Sequence, residues 1–149
     1  MRVGGFLKRM IGVESDGATL AAAAEANGFE VIDSDDNSCC LLIEALGYRV
    51  GVSIVIDRER DVLFTFFSTI KFPPDRLPES ICKALDGLNR KEPRFLYIPF
   101  HGREYSKFAI RTFIPRQHFS KDAMGSLVRE VVPRVTGLDE YLEENGYAR

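Results

Sequence analysis

Twelve residues, Asp33 to Glu44 (DSDDNSCCLLIE), set out a pattern that can grip calcium. Asp33, Asp35, Asn37 and Glu44 stand at the first, third, fifth and twelfth places of a calcium-binding loop. Calcium needs about six to eight oxygens, and a loop that supplies them must turn sharply at its sixth place, where glycine accepts the required backbone conformation. Here that place holds Ser38. The flanks disagree as well: a loop of this kind lies between two helices, whereas FEVI precedes this stretch and the apolar run CCLLI fills its second half. The expectation is a polar hairpin turn in which Asp and Asn side chains bond to nearby backbone amides, with no metal and no other cofactor.

Sulfur and imidazole chemistry is equally sparse. Cys39 and Cys40 are adjacent in a predicted strand, so their side chains point to opposite faces and do not pair with each other. Together with Cys82 they read as reduced thiols behaving as small apolar residues. His101 falls in a hairpin loop and His118 before a helix, and a dyad of Cys82 with either one lacks a third, orienting group. No serine sits in a Gly-x-Ser-x-Gly elbow, and no glycine-rich stretch forms a phosphate cradle. The chain therefore reads as a binding protein and not as an enzyme. The Asp33 to Glu44 pattern and the Cys39-Cys40 pair carry the alternative, a metal-responsive or thiol-dependent regulator or small enzyme.

The 149 residues, 45% hydrophobic and 28% charged, read as one domain over 1–149, with 1–14 an arm or short helix and 15–145 the globular part. A formal net charge of -2 gives no sequence-wide positive field for phosphate backbones, so nucleic acid is not an expected partner. No apolar run approaches the roughly 18 residues of a membrane span, and MRVGGFLKRMIGV lacks the apolar core of a signal peptide, so a cytoplasmic protein without membrane contact is expected.

Elements follow from periodicity. Asp16 is the predicted cap of a helix over 17–26 that stops at Asn27-Gly28. FEVI (29–32), CCLLI (39–43), YRVGVSIVI (48–56) and VLFTFFSTI (62–70) are extended, and Phe72-Pro73-Pro74 ends the last. A helix runs from Pro78 through PESICKALDGLNR, and a hairpin joins RFLYIPF (94–100) to YSKFAIRTFI (105–114), with Pro99 marking an edge. Ser120 caps a final helix whose Met124, Val128, Val131, Val135, Leu138 and Leu142 form one seam, and Pro133 is expected to kink or divide it. The resulting expectation is an α+β fold. It has a five-stranded, mainly antiparallel sheet, a three-strand meander plus a hairpin, and about three helices in the order α-β-β-β-α-β-β-α.

Eleven phenylalanines and five tyrosines concentrate in the strands over 62–70, 94–100 and 105–114. They fill a core first, yet a sheet that is bulky on both faces and has about three helices leaves apolar area for a second subunit or a peptide. Leu63, Phe67, Phe72 and Phe113 are the candidate partner-binding residues, and a homodimer is expected.

The ATLAAAAEANGFEV helix-to-strand join, the YRVGVSIVI strand with its charged turn into VLFTFFSTI, and the Leu88-Asn89 end of the middle helix carry a resemblance over roughly residues 14–143. In these features the chain resembles the type III secretion chaperone-like fold and, within it, the YbjN-like family of small bacterial proteins. The resemblance implies an α+β domain, often dimeric, that holds an extended or unfolded partner segment against apolar patches and performs no chemistry. The amino-terminal segment and Pro133 depart from that pattern.

Overall fold

The computed structural model describes residues 15–57, 59 and 61–148. The expected amino-terminal arm over 1–14 lies outside the described residues, as do Arg58 and Arg60 of the charged loop after YRVGVSIVI. Helix α1 (Asp16–Ala26) is capped by Ser15, whose Oγ accepts the Ala18 N–H at 3.1 Å. The cap is thus one residue earlier than predicted, and Asp16 becomes the acidic residue of the first turn, facing the positive end of the helix dipole. The helix closes at Asn27, and Gly28 takes a left-handed φ of 78°.

Six strands follow, not five: β1 (Glu30–Ser34), β2 (Ser38–Ala45), β3 (Tyr48–Ile56), β4 (Val62–Phe67), β5 (Leu96–His101) and β6 (Ser106–Ile114). They form one sheet in the order β1-β2-β3-β4-β6-β5, antiparallel throughout. The meander therefore has four strands. Its first is short, largely exposed and bulged, with the register against β2 shifting between Val31 and Asp33. Such an edge carries little periodicity from which to count it.

Helix α2 (Glu79–Lys91) follows β4 as expected from Pro78, and α3 (Lys121–Glu144) closes the fold. Ser120 caps α3, its Oγ accepting the Ala123 N–H at 3.0 Å. All six seam residues of α3, Met124 to Leu142, are buried. Pro133 does not divide the helix, which runs unbroken past it. Pro133 and Arg129, whose carbonyl loses its helical partner, both lie on the exposed side, where water can take up the orphaned group.

Alternation in β3 and β4 sends Val50, Val52, Ile54, Val62, Phe64 and Phe66 toward α1 and α3, where all six are buried. Burial of each such side chain contributes roughly 1.5–3 kcal/mol. A second, smaller core joins α2, the end of α3 and the start of β6 through Ile70, Ile81, Leu85, Phe108, Leu138 and Leu142. Phe72 belongs to it: 6% exposed, it packs edge-on against Phe108 at 5.6 Å and Tyr147 at 5.2 Å. Its expected partner-binding role is therefore corrected to a core role. The Phe72-Pro73-Pro74 stretch turns the aromatic inward, and an isolated bridge to Ser106 holds it there.

Three polar ties fasten the layers. Asn27 Nδ2 donates to the Lys121 carbonyl at 2.8 Å, and a Cβ at Gly125 would collide with the Asn27 Oδ1, so the join of α1 to α3 requires glycine there. The Gly17 N–H donates to the Asp36 carbonyl at 2.9 Å, and a Cβ at Gly17 would collide with the Asp35 carbonyl, which seats α1 on the β1–β2 turn. The fully buried Asp139 carboxylate accepts the Ser68 hydroxyl and the Thr69 N–H, the latter at 2.9 Å, pinning the end of β4 to α3. No helix among the described residues is long and apolar enough to cross a membrane.

Candidate functional site on the helix-free sheet face

The residues that alternate with the core of β3 and β4 face away from the helices. Register carries that second face across the sheet: Val55 stands beside Leu63, and Leu63 beside Phe113. Gly51, Phe67, Ala109 and Ile98 make the next row but one, and Phe100 stands beside Lys107. Three of the four predicted partner-binding residues, Leu63, Phe67 and Phe113, therefore share this face. Sequence reasoning missed Leu96, Ile98 and Phe100 of β5, which join them. The signal was present in RFLYIPF, where Leu96, Ile98 and Phe100 alternate with Phe95 and Tyr97.

Among the described residues no helix covers these side chains, and their exposure measures the consequence: Phe113 is 53% exposed, Phe100 41% and Leu96 38%. Phe67 and Phe100 meet edge to face at 5.2 Å. The Phe67 ring approaches Gly51, which leaves a groove of about 270 Å³ lined by Ile32, Cys40, Ser53, Phe67, Phe100 and Lys107. Lys71 and Lys107 lie over the Tyr105 ring at 4.8 and 5.3 Å. Burial, and then the neighbouring Lys71, hold the Lys107 ammonium below the usual lysine range, with Asp139 opposing.

The β5 edge of this sheet is closed by side-chain chemistry. Asn89 of α2 donates to the Tyr97 carbonyl at 2.8 Å and accepts the Tyr97 N–H at 2.7 Å, so its amide stands in for a neighbouring strand. Outward-pointing groups recur every second residue, and the next position along β5 is Pro99, which has no N–H to offer. At the far edge, β1 is short and bulged.

Other constellations do not assemble into chemistry. The calcium-like stretch is a hairpin between β1 and β2: the Asn37 N–H donates to Asp35 Oδ1 at 3.2 Å, and the Asp35 N–H to the Ser38 carbonyl at 2.9 Å. Glu44 lies at the other end of β2, 3.7 Å from Arg49. Among the described residues no three His, Cys, Asp or Glu side chains are placed to share a metal ion.

Cys39 and Cys40 do face opposite sides of the sheet. Burial, with Cys40 adding to it, pushes the Cys39 thiol up to about 12, and burial followed by Asp33 and Asp35 raises Cys40. Raised thiols are poor nucleophiles at neutral pH.

Ser106, His101 and Asp75 lie together, but both partners approach the same ring nitrogen: Ser106 Oγ and Asp75 Oδ1 each stand 3.5 Å from His101 Nδ1. A catalytic triad needs one ring nitrogen for each. Ser106 is also fully buried and accepts the Asp75 N–H at 3.0 Å, a bond that anchors the loop before α2.

A second apolar recess, of about 470 Å³, opens between α2 and α3 beside Leu85, Leu88, Tyr97, Leu138 and Tyr141. Its flanking Arg134 is engaged twice over, by Glu92 at 2.9 Å and by the Phe95 ring at 4.4 Å. No protein-family model, curated protein or solved structure matches this chain.

Proposed function

We propose that this chain is a non-catalytic protein-binding module whose working surface is the helix-free face of the sheet. One observation carries the reading: Leu63, Phe67 and Phe113 share that face with Leu96, Ile98 and Phe100, and no helix of the described chain covers them. The Asn89-capped β5 edge and the short, bulged β1 support it further, because a sheet that resists strand addition at its rims offers its face instead. The absence of a nucleophile–base–orienter arrangement at Ser106 and of a low-pKa thiol at Cys39 or Cys40 speaks against catalysis by those groups. The reading agrees with the secretion chaperone-like, YbjN-like resemblance of the sequence.

A hydrophobic dye such as bis-ANS tests the surface directly. At high dilution, where the face is free, the wild-type chain is expected to bind the dye, and Phe67→Asp to lose most of that signal while its far-ultraviolet dichroism stays unchanged, because Phe67 is only half-buried and the opposite face is left intact. Equal dye binding by wild type and variant would falsify the proposal.

A further inference from the structure

The open face is polarised in charge as well as apolar. Glu30 and Asp33 stand on it along the β1 side, by register with Leu42 and Cys40. Lys107 and Arg111 stand on it along the β6 side, by register with Phe100 and Leu96. Between them lie the apolar side chains Val55, Leu63 and Phe67. Asp33 and Arg111 occupy the same cross-sheet row, linked through Cys40, Ser53 and Thr65. The remaining pair on this half, Glu44 and Arg49, neutralises itself.

From this layout we infer that the partner docked on the face is a second copy of the chain, the two related by a dyad parallel to the strands. This rests on the reading of the face as a docking surface. A dyad in that direction preserves the level along the strands and exchanges the two sides, so β1 of one copy comes over the β5–β6 side of the other. Asp33 then meets Arg111 of the second copy, twice per pair, around a centre in which Ser53 and Thr65 are flanked by the apolar Val55, Leu63 and Phe67. A dyad across the strands would instead set β1 over β1 and acid against acid. The favoured arrangement is an aligned sandwich, with the two sheets roughly 10 Å apart and their strand directions within about 30°. A net charge of only -2 per copy puts little long-range repulsion in its way.

Sedimentation of the full chain over a micromolar concentration series tests the pairing. Wild type should pass from monomer to dimer. Asp33→Lys and Arg111→Glu each set like charges together at two places and should weaken the dimer by about tenfold. Both positions are exposed, so neither variant should disturb folding. Mixing the two single variants should give a mixed pair tighter than either variant alone, and the double variant should regain wild-type affinity.

A chain that is monomeric at every concentration overturns the pairing, as does a dimer indifferent to both reversals or a mixture no tighter than its components. If a monomer still binds bis-ANS in a Phe67-dependent way, self-pairing fails and the docking reading stands. If dye binding is also independent of Phe67, both fail.

Discussion

The two faces of the sheet are built from the same strands and the same kinds of residue, yet they serve opposite ends. In β4, Val62, Phe64 and Phe66 point to α1 and α3 and are wholly enclosed, while Leu63, Thr65 and Phe67 point away and remain partly open. Composition does not separate the two sets: each contains a phenylalanine and an aliphatic residue. What separates them is how many helices of the described residues lie on each side. Helices α1 and α3 pack on one side only, so an apolar alternation that would complete a core in a three-layer fold becomes a surface here. Bulk on both sides of a strand therefore does not by itself report that helices cover both sides.

The largest test of this contrast is a matched pair of truncations. Phe64→Ala should cost about 3–5 kcal/mol, the usual loss for emptying an enclosed aromatic site. Phe67→Ala should cost less than half of that in dilute monomer, because its surroundings are already partly solvent. Urea denaturation measures both, and equal losses would dissolve the distinction between the faces.

Next in size is Asn89→Ala, which removes two hydrogen bonds from Tyr97 and should cost about 1–2 kcal/mol. Its more telling readout is amide hydrogen exchange. The Tyr97 N–H should lose its protection, and unchanged protection would mean that the edge is closed by something other than the Asn89 amide.

The smallest effect at neutral pH comes from Cys39, on the enclosed face. Its thiol is pushed from 9.0 up to about 12 by burial, so the folded chain keeps the proton that the unfolded chain loses. That contribution is complete below pH 9.0 and declines as pH rises from 9.0 toward about 12. Alkaline unfolding followed by circular dichroism should show this decline in wild type, and Cys39→Ala should flatten it. A Cys40→Ala variant, altered on the open face, should leave most of it in place.

Much of the fold was legible in the sequence wherever one face is wet and the other dry. The alternation of YRVGVSIVI, the Ser120 cap and the seam of α3 all reflect that contrast, and each stands where it was read. FEVI reads as extended, yet the first strand stayed outside the count of five, because β1 is exposed along most of its length and interrupted by a bulge, leaving no regular burial to imprint on its residues. Phe72 was misread for a different reason. Flanking prolines mark where a strand stops pairing but not the direction in which the last side chain points, and the small core that receives Phe72 is assembled from α2, β6 and Tyr147, which are distant in sequence. Leu63, Phe67 and Phe113 came together because strand period and register suffice to put them on one face. The alternation of Leu96, Ile98 and Phe100 was present in the predicted β5–β6 hairpin, but joining that hairpin to Leu63 and Phe67 needed the strand order, which places β6 next to β4.

The contact of Gly17 with the β1–β2 turn bears on how the chain can be labelled. Exposed hairpin tips are ordinarily where a polypeptide tolerates inserted sequence. Here the tip at Asp35 and Asp36 is backed directly by helix backbone, so an epitope or fluorophore spliced between those residues should dislodge α1. The β5–β6 tip at Arg103 and Glu104, exposed and closed by the Gly102 to Tyr105 hydrogen bond, is the better place to graft one.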